Sequence, residues 1–160
     1  MAIASLLKSE RFYRDAAQWD LGRATFHPDA ALTYINVAWY EGNVEDFLRQ
    51  SAQMHKGKVK IIHSSFNPVD IHVRGDPGVS EAFCVVASSI TLDGVDYELA
   101  SHMRLFTRLQ KLSDSNKWRL LSLESSYVRD RLITAFPTVH ADVQLAKTHE
   151  AQAYPKSYRC

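Results

Sequence analysis

The chain has 160 residues, of which 46 % are hydrophobic and 23 % are charged, a composition typical of one globular domain. Lysine and arginine number 19 and aspartate and glutamate number 18, so the formal net charge is +1. This balance argues against an electrostatic binder of nucleic acid or of anionic membranes. It favours a small-molecule ligand that is neutral or weakly charged.

The location of the protein is predicted from what the sequence lacks. Its longest apolar run covers the six residues 82–87, whereas a membrane-spanning helix takes roughly twenty. The N-terminus has neither the basic start nor the apolar core of a signal peptide. Two cysteines, Cys84 and Cys160, are too few for a disulfide framework. We therefore expect a cytoplasmic protein with one domain over residues 1–160 and no contact with membranes.

The first part of the chain predicts two helices around one strand. Apolar residues recur at helical spacing over residues 4–26, and the helix should end before Pro28. Residues 30–40 are rich in aromatic and β-branched types and predict a strand, followed by a turn at 41–44. Asn43 stands at the N-cap of a second helix, which should end near residue 56.

From residue 59 the alternation of apolar and polar residues predicts four strands, over 59–73, 79–92, 97–112 and 118–128. Asp93-Gly94 is a strong hairpin signal between two of them. In the C-terminal segment 141–160, residues 141–153 predict a closing helix. The order of elements predicts an α+β fold, in which helices pack on one face of a curled antiparallel or mixed sheet.

The sequence contains no glycine-rich nucleotide loop, no Cys-x-x-Cys pair and no His-Glu-x-x-His motif. We therefore expect no cofactor and no metal. The remaining candidates are ionisable groups on segments that should be buried, because burial shifts their pKa and suits them to acid or base chemistry.

Two such groups stand out. Asp15 follows Phe12 by three residues and precedes Trp19 by four, so its carboxylate emerges beside the apolar stripe of the first helix, where Asp20 competes with it. His63 lies on the strand face that alternation assigns to the core. The structural alternatives are a solvated aspartate and a hydrogen-bonded core histidine.

Alternation also predicts the walls of a pocket. Tyr34 should offer its phenol to the interior, whereas His102 and Arg104 should point away from it. The side chains predicted to contact a substrate are Phe12, Trp19, Leu32, Met103, Leu105, Leu123, Ser125 and Tyr127.

Four segments carry a family resemblance. Asp15-Ala-Ala-Gln-Trp-Asp-Leu-Gly-Arg-Ala-Thr-Phe-His-Pro-Asp-Ala30 resembles the opening of SnoaL-like proteins of the nuclear-transport-factor-2-like superfamily. Ile61-Ile-His63 is similar to the histidine strand of that family, residues 101–109 to its fourth strand, and residues 117–131 to its final strand. The tail at 154–159 is similar to the tail of fungal members.

The resemblance implies a cone-shaped sheet wrapped around helices and one deep apolar pocket. In relatives such as scytalone dehydratase, a helix aspartate orients a strand histidine that acts as the base. These positions fall on Asp15 and His63, and a tyrosine that polarises the substrate carbonyl falls on Tyr34. The second histidine of that dehydratase falls at Ser88 or Ser89, so the same substrate is not implied.

The predicted function is a cofactor-independent lyase or isomerase, of the dehydratase or cyclase type. Asp15 and His63 would remove a proton from a small polyketide- or terpenoid-like metabolite, and Tyr34 would act as the electrophilic donor. Two alternatives remain: a non-catalytic binding or dimerisation module of the same fold, and a pericyclic or epoxide-opening catalyst that works through pocket shape. By analogy with relatives, the chain is expected to form a homodimer or homotrimer.

Overall fold

The computed structural model describes residues 2–56 and 61–134. Its helices are α1 (Ile3–Asp15), α2 (Trp19–Arg23) and α3 (Val44–Lys56). Its strands are β1 (Tyr34–Val37), β2 (Tyr40–Gly42), β3 (Ile61–Val73), β4 (Pro77–Leu92), β5 (Val95–Lys111) and β6 (Trp118–Thr134). The expected closing helix at 141–153 lies outside the described residues.

The strands form one six-stranded sheet in the order β2-β1-β6-β5-β4-β3. Every neighbouring pair is antiparallel except β1 and β6, which run parallel. Helix α1 packs against β3 and β6, and α3 packs against β1 and β2. The protein is therefore an α+β fold with a mixed, curled and unclosed sheet around its helices.

The predicted hairpin between β4 and β5 is confirmed. Asp93 and Gly94 adopt φ values of 49° and 81°. Positive φ at both positions is typical of the type I′ turn, whose twist matches that of the flanking strands. Leu92 and Val95 pair directly across it.

The single helix predicted for the N-terminal segment is wrong, because α1 ends early. Ala17 adopts φ 55°, the N–H of Gln18 donates to the Tyr13 carbonyl (2.7 Å), and the N–H of Ala17 donates to the Arg14 carbonyl (3.1 Å). These two bonds form a Schellman motif, which normally places glycine at the left-handed position. An alanine there gives no sequence signal for the break.

The predicted strand over 30–40 is shorter in the structure. A 3-10 turn, Ala30–Leu32, precedes β1, and the strand reverses into β2, which takes up part of the predicted turn at 41–44. The N-cap prediction is confirmed, since Asn43 Oδ1 accepts the backbone N–H groups of Glu45 (3.0 Å) and Asp46 (3.1 Å).

Strand β6 carries a bulge that changes the predicted faces. Leu109 pairs with Leu120 but Arg108 pairs with Ser122, so Leu121 is the extra residue. Leu120 and Leu123 are consequently both buried in the core. Strict alternation along β6 would place Leu121 with Leu123 on the inward face, and the bulge gives that place to Leu120 instead.

The core lies between the helices and the concave face of the sheet. Its fully buried members include Leu7, Phe26, Ile35, Val44, Phe47, Cys84, Leu109, Leu120 and Leu123. In the described part of the chain no helix has the length and apolar character needed to cross a membrane.

Candidate active site

A cavity of about 590 Å³ opens beside this core, a volume typical of small-molecule sites. Its apolar lining comprises Trp19, Val37, Ala38, Trp39, Met54, Ile61, Val86, Ile90, Leu99, Met103, Leu105 and Leu123. Its polar lining comprises Arg11, Arg14, Asp15, Ser51, His55, His63, Ser88, Ser101 and Ser125. The ionisable groups come mainly from the end of α1 and from β3.

Asp15 holds His63 by two hydrogen bonds. Its Oδ1 lies 2.7 Å from the ring Nδ1, and its Oδ2 accepts the backbone N–H of His63 at 2.9 Å. Both side chains are largely buried. The carboxylate therefore fixes the ring orientation and the tautomer with hydrogen on Nδ1.

Local structure explains how the two residues meet. Asp15 is the last residue of α1, because the Schellman motif ends the helix directly after it. Strand β3 is an edge of the sheet, and its register shifts between His63 and Ser65. Edge strands leave backbone N–H groups available and bulges redirect side chains, so the end of α1 can bind β3 here.

The second ring nitrogen also has a partner. Arg14 Nη2 lies 3.2 Å from His63 Nε2 and donates to it, while Arg14 Nε donates to Glu10 Oε1 at 2.5 Å. Arg11 forms an ion pair with the other oxygen of Glu10. Glu10 is 1 % exposed, so two arginines and one glutamate form a buried cluster beside the Asp15–His63 pair.

The pKa of each group follows from this arrangement. Burial, the charge of Arg14 and that of Arg11 lower the pKa of His63 to about 4, although the bond to Asp15 acts in the opposite direction. Burial alone would raise the pKa of Asp15, but its bonds to His63 and the nearby Arg14 bring it below the usual value. At neutral pH the pair is carboxylate and neutral imidazole.

Both arginines keep their charge despite their burial. Burial and the neighbouring Arg14 lower the pKa of Arg11 to about 9, and burial lowers the pKa of Arg14 to about 10. Within residues 2–56 and 61–134, no group of three or more histidine, cysteine, aspartate or glutamate side chains could hold a metal ion.

Several sequence predictions agree with this site geometry. The structure brings Asp15 and His63 together and leaves the competing Asp20 exposed. Among the predicted substrate contacts, the cavity is lined by Trp19, Met103, Leu105, Leu123 and Ser125. Arg104 faces outward, as alternation predicted, and pairs with Glu81.

The placement of Tyr34 in the pocket is wrong. Its neighbour Ile35 is completely buried, so alternation turns the Tyr34 side chain to the other face of β1. There its hydroxyl donates to Glu41 Oε1 (2.9 Å) and accepts from Asn36 Nδ2 (3.2 Å). The structure therefore does not support an electrophilic role for Tyr34.

Three other predicted contacts also lie outside the cavity lining. Phe12 is 61 % exposed, because the buried face of α1 runs through Glu10 and Arg11. Leu32 is 55 % exposed at the end of the 3-10 turn. Tyr127 pairs with Met103 across the bulged region of β5 and β6 but does not line the cavity.

Sequence reasoning missed the arginines. Glu10 and Arg14 are four residues apart, a spacing that favours an ion pair on a helix, yet such a pair is usually a solvated surface feature. Trp39 was also missed as a cavity residue, since it lies in the reversal between β1 and β2 that was predicted as continuous strand.

Comparison with known proteins agrees with this architecture. Residues 1–131 match the family model described as a SnoaL-like domain. An uncharacterised protein of Emericella nidulans is 24 % identical over 154 residues, which cover 92 % of this chain. The chain spans 62 % of the length of that relative.

Two solved structures illustrate the shared fold. A nuclear transport factor 2-like superfamily protein from Salmonella enterica superposes with a TM-score of 0.62 at 16 % identity, over 87 % of this chain and 93 % of its own. A candidate scytalone dehydratase from Novosphingobium aromaticivorans gives a TM-score of 0.60 at 13 % identity, over 83 % and 89 %. The chain belongs to the SnoaL-like domain family of nuclear transport factor 2-like folds.

Proposed function

We propose that this protein is a cofactor-independent lyase or isomerase that removes a proton from carbon in a small apolar metabolite. The observation that carries the proposal is the pair of hydrogen bonds that His63 donates to Asp15 at the wall of the cavity. The family includes dehydratases and cyclases, which agrees with this reaction class.

The chemistry needs only groups of this chain. Asp15 accepts the Nδ1 hydrogen, so Nε2 carries the lone pair that can take a proton. When His63 becomes charged, the adjacent carboxylate stabilises the imidazolium. General-base catalysis of this kind contributes roughly 10²–10⁴-fold. Elimination, isomerisation and ring closure of a polyketide- or terpenoid-like compound all begin with this step.

One observation favours a second candidate, a non-catalytic pocket that binds an apolar ligand. The N–H of Arg14 occupies the Nε2 lone pair, as it would around a purely structural histidine. A pericyclic or epoxide-opening catalyst would depend on cavity shape and not on His63.

Hydrogen exchange separates these candidates without knowledge of the natural substrate. We would incubate the protein with 1-tetralone, an apolar ketone, in D₂O and follow deuterium at the carbon next to the carbonyl by NMR. Wild type should exceed buffer, and His63→Gln should lose at least about a hundredfold in rate. Asp15→Asn should fall in the same direction.

The matched control is His72→Gln, because His72 is an exposed histidine on the same strand, β3. It should leave exchange unchanged. Exchange that survives His63→Gln, or no exchange by wild type although 1-tetralone binds, would contradict the proposal.

A further inference from the structure

The cavity wall beside His63 is rich in hydrogen-bond donors. A guanidinium has five N–H groups, and Arg14 uses Nε for Glu10 and Nη2 for His63. The acceptors that contact Arg14 in the described part of the chain are Glu10 Oε1 and His63 Nε2. Arg14 is held in place by Glu10 and by the Phe47 ring, whose centroid lies 5.1 Å from the guanidinium carbon.

Arg11 adds to the excess of hydrogen-bond donors over acceptors in this wall. Its side chain is 5 % exposed and lines the cavity, and its Nε has no acceptor within the described part of the chain. The available carboxylates are already engaged, Glu10 by the two arginines and Asp15 by His63. Arg14 lines the cavity and has N–H groups beyond those bonded to Glu10 and His63, so a ligand that supplies an acceptor gains a charge-assisted hydrogen bond there.

The local charges restrict the ligand further. Arg11 and Arg14 carry two positive charges, Glu10 and Asp15 carry two negative charges, and His63 is neutral. The wall is balanced before reaction. A neutral ligand keeps it balanced, and proton transfer to His63 then creates one positive and one negative charge together.

We infer that the substrate is an apolar carbonyl compound whose oxygen accepts the Arg14 N–H that otherwise bonds His63 Nε2. This contact makes Arg14 a catalytic residue. This inference rests on the proposed function. The C–H bond next to the carbonyl breaks, its proton goes to Nε2, and its electron pair moves through the new C=C bond to the oxygen. The resulting enolate oxygen accepts from Arg14, and the Nδ1 hydrogen stays with Asp15.

This arrangement couples binding to activation of the base. The Nε2 lone pair is released only when Arg14 turns to the substrate oxygen. The charge of Arg14 is one cause of the low pKa of His63, so a negative oxygen on Arg14 offsets that cause. The base therefore becomes stronger as the enolate forms.

Two matched aromatic probes test the inference. 2-Naphthol carries one oxygen on an sp² carbon, in the plane of its rings, and so resembles an enolate. Naphthalene has the same rings without this oxygen. In Arg14→Met, which removes every N–H, 2-naphthol should bind about tenfold to a hundredfold more weakly and naphthalene as before. Affinities would be measured by fluorescence titration.

Two further variants distinguish the loss of the Arg14 N–H groups from misfolding. Arg14→Lys keeps a positive charge next to Glu10 and should show an intermediate loss for 2-naphthol. Arg104→Met removes an arginine from the outer sheet face and should change neither affinity. Equal losses for both probes, or no loss in Arg14→Met and Arg14→Lys, would overturn the inference.

The rate of hydrogen exchange in 1-tetralone distinguishes failure of the inference about Arg14 from failure of the proposed function. Exchange that needs His63 but is unchanged in Arg14→Met and Arg14→Lys overturns the inference alone. The other case is that tighter binding of 2-naphthol than of naphthalene depends on Arg14 but wild type catalyses no exchange. That result would contradict both the proposed reaction and the enolate step.

Discussion

At the scale of single residues, the two nitrogens of His63 have opposite surroundings. Nδ1 faces a carboxylate at 2.7 Å and Nε2 faces a guanidinium at 3.2 Å. The carboxylate favours the charged ring, whereas the guanidinium and burial favour the neutral one. The second influence dominates and lowers the pKa to about 4, so His63 is in its neutral, unprotonated form throughout the neutral range.

These opposed influences predict that two substitutions shift the pKa of His63 in opposite directions. Asp15→Asn should lower the pKa of His63 by about one unit or more, roughly 1.4 kcal/mol of coupling. Arg14→Gln should raise the pKa toward the ordinary value of 6.5. An NMR titration of the ring, assigned by comparison with His63→Gln, measures both. Shifts of the same sign in the two variants would contradict the assigned contacts.

The site could be predicted in part at this scale. Asp15 and His63 were found because an ionisable residue interrupts an apolar pattern on one helix and one strand. Tyr34 was misplaced because the strand predicted over residues 30–40 is short in the structure, where Leu32 lies in the 3-10 turn and β1 begins only at Tyr34. The burial of Arg14 depends on packing against Phe47 and β3, which its spacing from Glu10 does not reveal.

At the scale of elements, the end of α1 decides where the carboxylate lies. The helix stops at Asp15 because Ala17 adopts the left-handed conformation. For residues other than glycine this conformation costs about 1–2 kcal/mol. The protein accepts this strain at the position that places Asp15 against β3.

We predict that Ala17→Gly raises the free energy of unfolding by about 1 kcal/mol, because glycine adopts a positive φ without strain. The matched control is Ala16→Gly. Ala16 has φ −87° and ψ 6°, which any residue tolerates, so glycine there should lower stability by roughly 0.5–1 kcal/mol. Urea unfolding of both variants measures the difference, and equal effects would argue against strain at Ala17.

The long strands were the most predictable elements. Alternation over many residues gives a period-2 signal that packing reinforces, and Asp93-Gly94 has the chemistry that its turn requires. The bulges in β3 and β6 were not predictable, because an extra residue preserves the local composition while it reverses the faces beyond it.

At the scale of the whole molecule, the buried histidine links folding to pH. Above the unfolded pKa of 6.5, His63 is neutral in both states and its contribution to stability is fully present. As the pH falls from 6.5 toward 4, the unfolded chain binds a proton that the folded protein does not, so stability falls. Asp15, whose folded pKa is lowered, adds a loss below its unfolded value of 3.8.

We therefore predict that His63 accounts for a loss of about 3 kcal/mol in unfolding free energy between pH 7.5 and pH 4. Urea unfolding of wild type across this range should show the loss, and His63→Gln should show a correspondingly flatter profile. Parallel profiles for the two proteins would mean that His63 titrates normally in the folded state.

The outer face of the sheet bears on assembly. Phe83 and Phe106 are exposed there, and Arg104 lies over the Phe83 ring and pairs with Glu81. Exposed aromatic groups among charged residues are typical of association surfaces. The homodimer or homotrimer expected by analogy stays a prediction.

The sequence by itself determined the α+β class, the order of the long strands and the two residues at the centre of the site. The class and the strand order follow from local periodicity, which chain neighbours suffice to define. For the site, periodicity supplied Asp15 and His63 as candidates, with Asp20 still competing, and the family resemblance supplied the pairing. Only the tertiary structure decided that Tyr34 faces outward, that α1 stops at Asp15 and that Arg14 reaches His63. The end of α1 and the direction of Tyr34 depend on backbone conformation that local composition does not reveal. The contact of Arg14 with His63 joins distant segments, and burial there, together with the charge of Arg14, keeps His63 neutral at neutral pH.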